Sequence, residues 1–178
     1  VVRTRRRWPL RALAIAASVL LGLWGAQIFR LYWPGGHAWQ LHGVLGHTAL
    51  APGERLQTAD DQYARLSVAR IGTVQIAPGS VLRLISSGTG RQRIELEHGR
   101  VQARIWAPPG HFGISSGHME FVDLGCEFTL DRQLDGSGSL SVQSGWVQQF
   151  IGGREQLIPA GHSLQFNEHS SATPLHQN

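Results

Sequence analysis

The chain has 178 residues, a net charge of +4 and a pI near 10.5, values that taken alone suit a nucleic-acid binder. Six of its 16 basic residues lie at or before Arg30 and no acidic residue precedes Glu54, so residues 31–178 carry 10 basic against 12 acidic groups. The basicity belongs to the N-terminus, which excludes a nucleic-acid surface on the rest, and a single cysteine, Cys126, excludes an internal disulfide framework or a thiolate metal cluster.

The basic segment 1–11 leads into ALAIAASVLLGLWGAQIF at 12–29. An 18-residue apolar run makes roughly 27 Å of helix, close to the thickness of a bilayer's hydrocarbon core. Arg3, Arg5, Arg6, Arg7 and Arg11 flank one side and Arg30 alone the other, which places the N-terminus in the cytoplasm of a bacterial inner-membrane protein and the remainder in the periplasm. A cleaved signal peptide is the competing reading, but Leu23 or Trp24 would occupy a position that wants a small residue. An uncleaved helix over 12–33 is expected, with Tyr32 and Trp33 in the outer aromatic belt and 34–37 as a short tether through Pro34-Gly35-Gly36.

From Ala38 the hydrophobic period changes to two, and glycine, proline, asparagine or aspartate recurs every few residues, which predicts an all-β domain over 38–166. The clearest strands are Ser80–Ile85, Arg93–Glu97 and Gly99–Trp106. In the last two, Ile94 and Leu96, then Val101, Ala103 and Ile105, alternate with charged or polar residues. Further strands are predicted at 63–68, 73–76, 112–115, 121–124, 127–131, 139–142, 146–151, 156–158 and 163–166. His98-Gly99, Asp135-Gly136-Ser137-Gly138 and Gly152-Gly153 supply turns, and Pro108-Pro109-Gly110 a rigid corner. The polar tail 167–178 is expected to be disordered.

Five ordered segments together resemble the FecR-like domain, the extracytoplasmic part of bacterial transmembrane regulators of sigma factors: GTVQIAPGSVLRL at 72–84, IELEHGRVQARI at 94–105, FGIS at 112–115, VDLGCEFTL at 122–130, and LSVQSGWVQQF at 140–150 followed by LIPAGHSL at 157–164. The resemblance spans about Glu54 to Phe166. It implies an antiparallel β-sandwich or a short, solenoid-like β-roll, in which Gly79, Gly99, Gly125, Gly145 and Gly161 are structural turn or bulge residues. The family commonly has threonine where this chain has Cys126. Members that bind sigma factors directly carry an anti-sigma domain before the anchor. About eleven residues stand there in this sequence, so control of an alternative (ECF-type) sigma factor is expected through a partner or a missing N-terminal domain. The dozen residues after Phe166 are too few for the further C-terminal domain of receptor-coupled members.

No catalytic constellation emerges. His111, His118 and Glu120 are spaced too widely for a cupin-like metal site, so no metal and no cofactor is expected. Ser144-Gly145 and Ser115-Ser116-Gly117 lack the flanking pattern of a nucleophile elbow, and Glu95 and Glu97 sit on a solvated strand face. Trp106 shares its face with Arg104 and Gln102, and Trp146 with Gln148 and Phe150, so either a second sheet covers these faces or the two tryptophans contact a partner. The expected function is a non-enzymatic, membrane-anchored relay of an envelope signal. The alternative is a tethered module that binds cell-wall glycan or an envelope assembly.

Overall fold

The computed structural model describes Gly22 and residues 36–88, 90–167 and 170–176. Two compact units divide the chain, Val1–Pro34 and Gly35–Asn178. In the first, Gly22 is helical; the rest of the expected membrane helix over 12–33 lies outside the described residues. No helix among the described residues is long and apolar enough to cross a membrane.

The described part of the second unit is built on strands. In chain order they are β1 (Trp39–His42), β2 (Ala49–Leu50), β3 (Arg55–Gln57), β4 (Ala64–Val68), β5 (Gly72–Ile76) and β6 (Val81–Gly88). Next come β7 (Arg91–Ile105), β8 (Phe112–Ser116), β9 (Met119–Asp123), β10 (Glu127–Arg132) and β11 (Gly138–Ser144). The last are β12 (Trp146–Ile151), β13 (Arg154–Pro159), β14 (His162–Asn167), β15 (Ser170–Ser171) and β16 (Leu175–His176).

They form two layers joined by β7. The first layer runs β2-β1-β4-β5-β7-β10-β11-β14, with β15 and β16 both on the outer side of β14. The second runs β3-β6-β7-β8-β9-β12-β13. The C-terminal half of β7 serves the first layer and its N-terminal half the second. A single core lies between them, made of alternate residues from both inner faces: Leu66, Val74, Val101, Phe128, Leu140 and Leu164 from one, Leu84, Ile94, Ile114, Phe121 and Val147 from the other. Each such side chain gains about 1.5–3 kcal/mol from leaving water, which is why the register is held so closely.

Three features depart from the sequence reading. His98-Gly99 is not a hairpin turn, because β7 runs through it without reversing. There the inward-facing residues switch from even numbers (Gln92, Ile94, Leu96) to odd (Val101, Ala103, Ile105). The register with β6 shifts at the same place, Val81 facing His98 but Leu82 facing Leu96, so that Glu97 of β7 has no register partner on β6. A bulge therefore bends one strand from layer to layer, and Gly99, at φ +100°, supplies the conformation.

The sheet is also not wholly antiparallel, since β7 and β8 pair in parallel, Ile94 opposite Ile114. The chain leaves β7 in the first layer, turns at Pro108-Pro109-Gly110 and re-enters in the second beside the start of β7. A change of layer substitutes for the helical crossover that parallel neighbours ordinarily need.

The tail, finally, is not free of structure among its described residues. Phe166 pairs with Ser171 and Ser163 with Leu175, Ala172 N donates to Gln165 O at 2.9 Å, and the Asn167 side chain accepts from Ser170 N at 2.9 Å. Polar composition hid it because these residues are held by backbone pairing rather than by a buried side chain. The short strands β1, β2 and β3 lie outside the predicted set: β1 and β3 alternate, but over only four and three residues.

Candidate functional site

The turn between β4 and β5 closes with Ile71 N donating to Val68 O at 2.9 Å, and it holds Ala69 at φ +47°, a left-handed conformation uncommon for a residue with a Cβ. Trp106, just past the end of β7, is fastened to this turn. Its backbone N donates to Ile71 O at 2.8 Å and its indole N–H to Arg70 O at 3.2 Å. The ring is 61% exposed, so the first layer's outer face is uncovered here. Trp146 opens β12 opposite Pro159, is 47% exposed, and its backbone O accepts a hydrogen bond from Leu124 N at 3.1 Å.

One loop, Leu124-Gly125-Cys126, links the surroundings of the two indoles. Ile105 N, next to Trp106, donates to Cys126 O at 3.0 Å, while Gly145, next to Trp146, packs so tightly that a Cβ there would fall on Gly125 O. Gly145 has φ +71°, and glycine is the residue that suits both that conformation and that approach.

Asp123 organises the loop. Its carboxylate is fully buried and accepts from Cys126 N at 2.8 Å, from Gly125 N at 3.1 Å and from the Cys126 thiol. Burial raises the Asp123 pKa above its ordinary value, opposed by these three hydrogen bonds. Burial also pushes the Cys126 thiol far up, reinforced by the hydrogen bond to Asp123 and by its charge. A carboxyl that holds its proton more firmly folded than unfolded binds more protons in the native state, so its contribution to stability falls as pH rises from about 4 through its folded pKa. Asp123→Asn is expected to flatten that slope, as read by urea midpoints measured between pH 4 and pH 8. The Cys126 thiol should resist iodoacetamide in the native protein and react after denaturation, and rapid native labelling would contradict its placement.

A cleft of about 520 Å³ opens on the other side of the same β4–β5 turn. Its walls include His37, Trp39, Arg70, Ile71, Gln92 and His111, so it lies between β1 and the turn of the first layer and the start of β7 in the second. Trp39 is buried and its indole N–H donates to Gln92 Oε1 at 3.2 Å; Gln92 Nε2 in turn donates to Gly88 O at 2.8 Å. Ser87 Oγ donates to His37 O at 2.7 Å, and a Cβ at Gly36 would fall on Ser87, so the chain enters the unit pressed against this wall.

The remaining sequence candidates separate in space. No group of three His, Cys, Asp or Glu side chains among the described residues lies close enough to hold a metal. Glu120 instead meets Arg93 Nε at 2.9 Å. Glu97 meets Arg55 at 3.0 Å and Arg83 at 3.6 Å. Gly79, Gly125 and Gly161 stand at φ +63°, +87° and +75°. Sequence reasoning passed over Asp123 and, apart from His111, the cleft residues. An aspartate closing an apolar strand two residues before a glycine was the available signal for the first. The cleft had none, because its walls come from four separate stretches.

The family profile described as FecR protein matches residues 54–148. The chain belongs to the FecR family. The matched residues run from the entry to β3 into β12, and so include Trp106, Asp123, Cys126 and Trp146. The FecR domain also resembles two crystal structures of a putative anti-sigma factor from Parabacteroides distasonis ATCC 8503, at 1.65 and 2.50 Å resolution, each with 14% identity and a TM-score of 0.60. Each likeness covers 70% of this chain and 60% of the solved one, less than two thirds of that protein's length, and at this identity it speaks to the fold. No curated protein matches the sequence.

Proposed function

We propose that this FecR-family chain is the envelope-side module of a sigma-factor regulator: a β-domain held outside the inner membrane by the segment 12–33, relaying a signal to an alternative sigma factor through an anti-sigma partner or an N-terminal domain. The family match over 54–148 carries the reading, with the fold shared with the anti-sigma factor structures as its support. The role is regulatory, with binding in place of catalysis.

The test is a sigma-dependent reporter in the source bacterium together with cross-linked pull-down of the full-length chain from membranes. Deleting the gene should change reporter output, and a sigma or anti-sigma protein should be recovered with the chain. An unchanged reporter and no such protein would sink the reading. The exposure of Trp106 and Trp146 favours one second reading, a tethered module that binds cell-wall glycan. It requires that peptidoglycan co-sediment the chain and that Trp106→Ala or Trp146→Ala abolish this. Each variant should cost about 1–2 kcal/mol, because each indole is partly buried and Trp106 also gives up its hydrogen bond to Arg70 O, and circular dichroism should show both folded.

A further inference from the structure

The cleft beside Trp39 has the size and make-up of a small-molecule site. Pockets that enclose such ligands commonly measure about 300–1,000 Å³ and combine apolar walls with a few placed polar groups; this one measures about 520 Å³. Ile71, Ala38 and Ala69 supply apolar surface, next to the buried Trp39. The polar side of the lining is one-signed in its chemistry: Arg70 is a permanent cation, His37 and His111 are imidazoles, and the lining contains no aspartate or glutamate. Arg70 makes no ion pair among the described residues. The wall is formed in advance, since the Trp39 indole N–H and the Gln92 amide already satisfy one another and Gly88 O. Water would leave the apolar surface when a ligand enters, and an anionic group would find the unopposed guanidinium.

We propose that this cleft binds a small anionic amphiphile, its apolar body against Ile71, Ala38 and Ala69 and its carboxylate or phosphate held by Arg70 with His37 and His111. Such a ligand would bridge the first residues of the domain, His37 to Gln40, to the β4–β5 turn and to the start of β7. Occupancy would therefore stiffen the place where the chain enters the domain. The inference stands apart from the sigma-factor reading, because it concerns what the domain binds and not what it reports to.

The experiment uses the full chain in zwitterionic lipid nanodiscs, with the Trp39 indole N–H resonance followed by NMR and assigned by its loss in Trp39→Phe. Octyl phosphate, octanoate, 1-octanol and inorganic phosphate are titrated separately. The expected result is a saturable shift of that resonance with octyl phosphate, octanoate or both, and affinities weaker by about tenfold or more for octanol and for inorganic phosphate. The better of the two anions identifies the head group. Arg70→Glu should weaken that binding about tenfold or more, while its backbone carbonyl still accepts from Trp106. Ala38→Trp, which fills the cleft from an exposed wall position, should abolish it. An unchanged resonance of Trp146, on β12, certifies that both variants are folded. No saturable shift with either anion, equal binding of octanol, or an unaffected Arg70→Glu variant overturns the proposal. The sigma-dependent reporter would be untouched by any of these failures, so the two readings fall separately.

Discussion

Gly99→Ala is expected to destabilise the β-domain by about 3–5 kcal/mol. The φ of +100° alone costs a residue with a Cβ about 1–3 kcal/mol. The added Cβ would also sit 2.5 Å from Ser80 Cα, a backbone atom that can yield only if the chain entering β6 moves. Overpacking of this kind typically adds about 1–3 kcal/mol. Ser80 cannot move freely, because it is fully buried, its N donates to the Thr58 hydroxyl at 2.9 Å, and its own hydroxyl accepts from Arg100 N at 3.0 Å. Equilibrium urea unfolding followed by far-ultraviolet circular dichroism would show a midpoint lower by about 2 M, taking a slope of about 2 kcal/mol per M. Gly152→Ala is the matched control. Gly152 also has a positive φ, of +55°, but a Cβ there meets nothing, so only the conformational part should remain. Equal losses at the two sites would mean that the bend in β7 is not a tightly packed junction.

That junction lets one strand serve two layers, and it bears on coupling between them. Because β7 pairs with β5 and β10 at one end and with β6 and β8 at the other, it is a backbone route by which a displacement of one layer reaches the other, beside the core they share. The Trp39 cleft borders the start of β7 and Trp106 lies just past its end, while the β4–β5 turn touches both, through Arg70 and Ile71. The two surfaces most suited to contacting something else are thus joined by a single strand and a single turn.

Much of this architecture was readable in the chain because half-buried strands impose a period of two. Phe112–Ser116, Glu127–Arg132 and Trp146–Ile151 all lie where alternation placed them, to within a residue. The misreading at His98-Gly99 has a definite cause: a phase shift in alternation next to a glycine looks the same in sequence whether the chain reverses or only bulges. What decides is the pairing with β6, whose consecutive Val81 and Leu82 face His98 and Leu96, and that pairing is not visible from β7 alone. β15 and β16 escaped for the opposite reason, since Ser170–Ser171 and Leu175–His176 bury almost no apolar surface and owe their form to the exposed edge of β14. For the site, the face assignments of Trp106 and Trp146 came from parity, but their exposure did not. Whether a face is covered depends on how many layers the domain has.

Phe121→Ala should be the most damaging truncation of the core, at about 3–5 kcal/mol. Phe121 is fully buried on β9, flanked across the ladder by Ile114 on β8 and Gln149 on β12, and it reaches across the layers to Phe166 on β14, with ring centroids 5.4 Å apart and planes at 45°. Both losses act together, the transfer of a large ring and the cavity left between two sheets whose backbones are pinned by pairing on either side. Phe121→Leu keeps most of the volume and should cost markedly less. The contact across the layers can be isolated, because a tilted aromatic pair contributes about 0.5–1.5 kcal/mol beyond its buried area. A double-mutant cycle with Phe166→Ala should return a coupling of that size, since the second truncation removes a neighbour the first has already abandoned. If Phe121→Ala and Phe166→Ala add within about 0.3 kcal/mol, the two layers are not closed over one another at β9 and β14, and the sandwich would have to be redrawn as an open sheet.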